Sequence, residues 1–313
     1  MTSNHMPTEV AIHVAGLRKS YGDFEAVRGI ELQVRIGEVY ALLGPNGAGK
    51  TTTVEILEGH RNRTDGTVSV LGHDPERNER GFRERIGIVL QDTSVDPYLS
   101  VLETINMFRG YYPNPLPLDT ILNATGLVEQ AGVRAGKLSG GQQRRLDVAV
   151  GLAGNPELLF LDEPTTGFDP SARRGAWDMV KNLQSLGKTI LLTTHYMEEA
   201  EHLADRVGIM IEGRIAVEGS PQEIVRTDAP TVIRFRLPDD LAPPPPDIGA
   251  TPGGGAGMYE IQTTGPTAAL HRLTSWVIEA GRELEDLSVS RPSLEDIFIE
   301  VTRQDSPGGG GAQ

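Results

Sequence analysis

Gly44-Pro-Asn46-Gly47-Ala48-Gly49-Lys50-Thr51 has the spacing of a phosphate-binding loop. Glycines let backbone N–H groups converge on phosphate oxygens, and a helix opening after Gly49 points its positive end at the same anion. Lys50 adds a full positive charge, and the hydroxyl of Thr51 is a ligand for a divalent cation such as Mg²⁺. A second segment, Glu157-Leu-Leu-Phe-Leu-Asp162-Glu163, delivers two carboxylates at the end of an apolar run. Asp162 is suited to hold a metal, and Glu163 to polarise an attacking water. As a bare pattern, that pair is equally a strand end capped by solvated acids. A third segment, Leu138-Ser139-Gly140-Gly141-Gln142, pairs an N-capping serine with exposed glycine amides. Alone it reads as an ordinary capped helix.

These residues need strand ends and helix starts to hold them, and the hydrophobic pattern predicts both. Alternation over 8–17 and 26–34 predicts two half-buried strands, and 38–43 a buried strand ending at Gly44. The phosphate loop and a helix from Thr51 to Leu57 follow. Strands are expected at 68–71, 86–90, 157–161 and 189–193, with helices at 138–152, 171–186 and 197–204. A hairpin turns over Glu212-Gly213. From Pro97 to about Val133, helical spacing broken by Pro113, Pro115 and Pro117 predicts an inserted helical region, part of a helical subdomain at about 97–155. Composition shifts near Thr227. A small α+β unit is expected at 229–303, with a flexible Pro/Gly stretch at 242–257. Residues 1–9 read as a flexible N-terminus and 304–313 as a disordered tail. The fold class is therefore α/β with a small α+β domain after it.

The bulk composition narrows the function. There is no cysteine, so disulfides, thiolate metal sites and cysteine nucleophiles are excluded. Acidic residues outnumber basic ones, 43 to 29, for a net charge of −14. That balance argues against a nucleic-acid partner. No apolar run approaches the ~18–20 residues that span a bilayer.

With the three segments in this order, the chain resembles the nucleotide-binding domain of ABC transporters over about residues 10–225. Residues 44–52 match that family's Walker A, 157–163 its Walker B and 138–142 its signature. The resemblance implies a P-loop NTPase fold with an antiparallel β subdomain and an inserted helical subdomain. It implies ATP and Mg²⁺ as cofactors, and ATP bound by residues 44 and 46–52, including Thr52. Tyr21 resembles the aromatic that stacks on adenine. Gln91 resembles the glutamine that contacts Mg²⁺ and the attacking water, so Thr51, Gln91 and Asp162 form the metal set. His195 resembles the switch histidine at the γ-phosphate, completing Lys50, Gln91 and Glu163 as the catalytic group. Asp169 resembles the loop that crosses a dimer interface, where Phe168 replaces the usual leucine. Ser139, Gly140, Gly141, Gln142 and Asp169 would then act on the nucleotide of a second copy. The expected partners are a second ATPase subunit and a separate polytopic permease, at the cytoplasmic face of the membrane. The ending Pro292–Glu300 is similar to that of drug-efflux and daunorubicin-resistance ATPases, which implies export of drugs, lipids or other hydrophobic compounds. The alternative is a soluble ABC ATPase acting on ribosomes or DNA, which commonly has two cassettes or a long coiled coil. This chain has one phosphate loop and no long heptad run.

Overall fold

Inward-facing Ile12, Val14 and Leu17 anchor β1 (Val10–Tyr21), and Val27, Ile30, Leu32 and Val34 do the same for β2 (Phe24–Arg35). The computed structural model describes residues 10–77, 79–90, 95–225, 230–238, 240–255, 257–290 and 293–304. Residues 1–9, Gln91 and the expected tail from 305 on lie outside them, whereas Gln304, expected in that tail, ends the last helix. Two compact units divide the chain, Met1–Pro221 and Gln222–Gln313.

In the first unit, β3 (Val39–Leu43) is buried at every position and runs into the phosphate loop, from which α1 (Lys50–Leu57) rises. β4 (Asp65–Val70) pairs with β1, so β2-β1-β4 form a three-stranded antiparallel sheet. A single turn, α2 (Arg80–Arg83), precedes β5 (Ile86–Val89). The inserted region is α3 (Val101–Arg109) and α4 (Leu118–Thr125), separated where the three prolines fall. Both pack on α5 (Gly140–Leu152). β6 (Leu158–Asp162), α6 (Pro170–Ser185), β7 (Thr189–Thr194), α7 (Met197–Leu203), β8 (Arg206–Ile211) and β9 (Arg214–Gly219) complete the unit. The main sheet has the order β5-β6-β7-β3-β8-β9, parallel except for β9. Its parallel strands all present their carboxyl ends at one edge, the place where open α/β sheets bind ligands.

The second unit begins with the short α8 (Pro221–Ile224), which straddles the boundary. Its sheet is β11 (Thr251–Pro252), β12 (Met258–Thr263), β10 (Thr231–Arg236) and β13 (Glu285–Ser290), in that spatial order. α9 (Pro266–Glu279) covers one face, closing a core of Ile233, Phe235, Leu237, Ile261, Leu273 and Val277. The Pro/Gly stretch is not merely a loose loop. It contributes β11 and a helical turn, Pro246–Ile248, whose Ile248 joins that core. α10 (Leu294–Gln304) buries Leu294, while Ile297, Phe298 and Val301 are only half-buried.

Candidate functional site

The phosphate loop is shaped by close approach. A Cβ at Gly49 would lie 2.5 Å from the Ala26 carbonyl oxygen and 2.8 Å from Met210 Cε, and its φ of +103° is left-handed. No other residue type fits without moving the neighbouring backbone. Lys50 curls over the loop and is 6% exposed. Its Nζ donates to the carbonyls of Gly44 at 2.7 Å and Pro45 at 3.1 Å. Burial pushes the Lys50 pKa down, and the charges of Glu163 and Asp162 pull it partly back.

The carboxylates come from β6, two strands away from β3, with β7 between them. The register sets Asp162 beside Thr193 and Leu43 beside Thr194. Thr193 Oγ1 donates to Asp162 Oδ1 at 2.5 Å. Arg144 of α5 donates to the Asp162 and Leu90 carbonyls, which clamps the ends of β6 and β5 to the helix. Glu163 sits at φ +44°, a left-handed conformation that costs a non-glycine residue about 1–3 kcal/mol. The surroundings hold it there. Its N–H donates to the Thr193 backbone oxygen and Oγ1, and its Oε2 accepts from Thr166 Oγ1 at 2.9 Å. His195 Nδ1 lies 3.3 Å from Glu163 Oε1. Its ring packs against Tyr196 at a tilt of 40°, with centroids 4.1 Å apart.

A cleft of about 480 Å³ is lined by Tyr21, Phe24, Ala26, Asn46, Gly47, Gly49, Lys50, Thr51, Thr52 and Glu163, while Asp162 and His195 do not line it. Gly44 and Ala48 are buried in the loop beneath it. Phe24 was not picked out from the sequence. It pairs with Tyr21 across the hairpin, and both rings are exposed at the mouth of the cleft. Lys19 and Arg61 flank the Tyr21 ring at 5.1 and 5.4 Å from its centroid. Two exposed aromatics about a glycine turn were the available signal.

Ser139, Gly140, Gly141, Gln142 and Asp169 do not line this cleft. Ser139 and Gln142 form a reciprocal cap on α5. Asp169 caps α6 by accepting from the amides of Ser171 at 2.8 Å and Ala172 at 2.9 Å. The two helix starts are neighbours, since a Cβ at Gly141 would lie 3.7 Å from that of Ala172. The glycine-flanked start of α1 thus opens on the cleft, and that of α5 does not.

A family model described as "ABC transporter" matches residues 27–166, and one for the C-terminal domain of ABC transporter domain-containing proteins matches 231–293. The daunorubicin resistance ATP-binding protein DrrA3 of Streptomyces coeruleorubidus is 36% identical over 95% of this chain and 97% of its own length. The Nod factor export ATP-binding protein I of Paraburkholderia xenovorans is 40% identical over 94% of this chain and 97% of its own. Among solved structures, cbiO1 from Clostridium perfringens, part of the ABC transporter complex cbiONQ, aligns at TM-score 0.63 and 31% identity, covering 69% of this chain and 90% of that one. A dimeric cassette, MJ0796 bound to ADP and Pi, aligns at TM-score 0.59 and 25% identity, covering 67% of this chain and 99% of that one.

Proposed function

The chain belongs to the ABC transporter ATP-binding family, which hydrolyses ATP, and from that premise we propose that it drives export through a separate membrane permease. The observation that carries the catalytic part is that Lys50 and Glu163 line one cleft, with His195 3.3 Å from Glu163. The loop amides and Lys50 hold the phosphates of ATP, and Tyr21 and Phe24 take the base. Thr51 and Asp162 present only oxygen donors, which suits a hard cation such as Mg²⁺, and Gln91 would join them. Bound there, Mg²⁺ would neutralise charge on the phosphates. Glu163 orients the attacking water and accepts its proton, while His195 faces the terminal phosphate.

A second copy completes the site. The exposed start of α5 offers Ser139 and Gly141 to the nucleotide held by the other chain's Lys50, and Asp169 lies on the same surface. The MJ0796 cassette, solved as a dimer, supports this arrangement. For the permease, the inserted region offers exposed Tyr98, Leu102, Met107 and Tyr111. No helix among the described residues is long and apolar enough to cross a membrane. The export and drug-resistance names of the relatives support export of a hydrophobic compound. The full chain would therefore work peripherally at the cytoplasmic face of the membrane.

Complementation tests the shared site. Ser139→Arg chains and Lys50→Ala chains should each be inactive alone. Mixed, they should recover activity, because a heterodimer carries one site with both halves intact. No recovery, from chains shown to form mixed dimers at saturating Mg-ATP, would sink the two-chain site.

A further inference from the structure

Glu199 is a fully buried carboxylate that the chemistry above does not use, and burial raises its pKa. It sits on α7, four residues after His195. Around it are the Thr165 and Thr194 hydroxyls, the Trp177 indole and the Arg173 guanidinium. Thr165 and Thr194 are each 1% exposed and Trp177 is 6% exposed. These neighbours pull the carboxyl pKa down against burial, yet no well-aligned hydrogen bond closes. Thr165 Oγ1, Trp177 Nε1, Arg173 Nε and both Glu199 oxygens are buried without one. Four donors thus face two acceptor oxygens in a buried pocket, where each unmade bond costs about 1–3 kcal/mol. Such a cluster needs a reason to persist.

The location suggests one. Thr165 follows Glu163 by two residues, and Thr194 immediately precedes His195. Thr194 Oγ1 also accepts from the Tyr196 N–H at 3.0 Å, shaping the turn that carries the His195 ring. Arg173 reaches from α6 over the Tyr196 ring, 4.2 Å from its centroid, and approaches Glu198 at 4.0 Å. Glu199 is therefore faced by donors from the loop after Glu163, the strand end before His195 and the first turns of α6.

We propose that Glu199 is a positioning residue that sets Glu163 and His195 relative to each other, by gathering donors from the segments that flank both. The proposal rests on the ATP-hydrolysing reading above. Glu199 is fully buried and does not line the cleft. Its effect is on geometry, and a misplacement of about 1 Å costs up to about 10²-fold in rate.

The test uses the full chain with Mg-ATP. Glu199→Gln keeps the shape but brings two more N–H donors into a donor-rich pocket. It should lower kcat about 10–100-fold and leave the KM for ATP unchanged. Its melting temperature should fall somewhat, since two donors are added to a buried pocket already short of acceptors. In a His195→Ala background the same change should add no further loss, because the geometry it protects is already gone. A role in packing alone predicts a lower melting temperature with kcat unchanged, or a loss in kcat that multiplies with that of His195→Ala. That pattern, or a wild-type kcat, would overturn the proposal. Should Glu199→Gln fail to fold, Thr165→Val removes one donor and is judged by the same readouts. Glu163→Gln assayed alongside separates the two levels. Full activity there refutes the hydrolytic reading, whereas an inactive Glu163→Gln beside a fully active Glu199→Gln refutes this inference alone.

Discussion

Glu163→Gln should abolish turnover while preserving nucleotide binding, and the structure explains why the change is so selective. The Glu163 side chain is 17% exposed, held by Thr166 at 2.9 Å and set 3.3 Å from His195. An amide oxygen can still accept from Thr166, so the loop keeps its anchor and the left-handed backbone at Glu163 its support. What goes is the proton acceptor. Loss of a general base commonly lowers the rate about 10²–10⁴-fold, or about 3–5.5 kcal/mol in barrier height. Binding should move the other way. Glu163 contributes negative charge beside Lys50, on the wall that phosphates approach. Neutralising it removes a repulsion, so ATP should bind as well or better, and the unhydrolysed complex should accumulate as a dimer. Lys50→Ala provides the contrast. It deletes the cation, and a hydrogen bond to a charged group is worth about 1.5–3 kcal/mol, so affinity itself should fall. Phosphate release, equilibrium nucleotide binding and light scattering at saturating Mg-ATP measure the three quantities. Wild-type turnover in Glu163→Gln would refute the base assignment. Lost binding in a folded protein would show that Glu163 builds the cradle instead.

Two further outcomes follow from burial. Glu58 caps the end of α1, and burial, with Asp162 and Glu55 nearby, raises its pKa from 4.5 to about 8. Since the folded state holds this proton more tightly than the unfolded one, stability should fall as pH rises from 4.5 to about 8. At about 1.36 kcal/mol per pH unit the ceiling is about 5 kcal/mol. Glu58→Gln should flatten that fall in denaturant titrations at pH 5 and pH 9, and an unchanged slope would refute the assignment. In the second unit, Phe235 is fully buried while Phe298 is half-buried, so Phe235→Ala should be the more damaging change, at about 3–5 kcal/mol. It should unfold that unit and leave ATP affinity intact. The same affinity is expected of a chain ending at residue 228, and a large loss in either would show that the second unit helps build the nucleotide site.

Lys50 and Thr51 were legible in the sequence because they close a glycine-spaced loop, and Asp162, Glu163 and His195 because they lie at or just past the ends of strands whose apolar runs are visible. Residues whose role depends on what packs over them were not. Glu199 looks like one acid among several on a polar helix until α6 covers it, and Glu58 looks like an ordinary helix end. Ile248 was hidden in a stretch whose prolines and glycines read as loop. The juxtaposition of the readable residues was also absent from the pattern. β3 and β7 are buried at every position, so neither alternates, and without alternation a strand's apolar residues cannot specify its pairing register. Yet the site depends on that register. With Leu43 beside Thr194 and Asp162 beside Thr193, His195 leaves β7 at the level where β3 enters the phosphate loop and β6 delivers Glu163. A slip of one residue would displace it by about 3.3 Å along the strand and turn its side chain to the other face, away from Glu163. Since apolar patterning cannot prevent such a slip, polar contacts at the strand ends are what hold the alignment. Thr193 grips Asp162 at one end, and Thr189 Oγ1 accepts from the Gly37 N–H at the other.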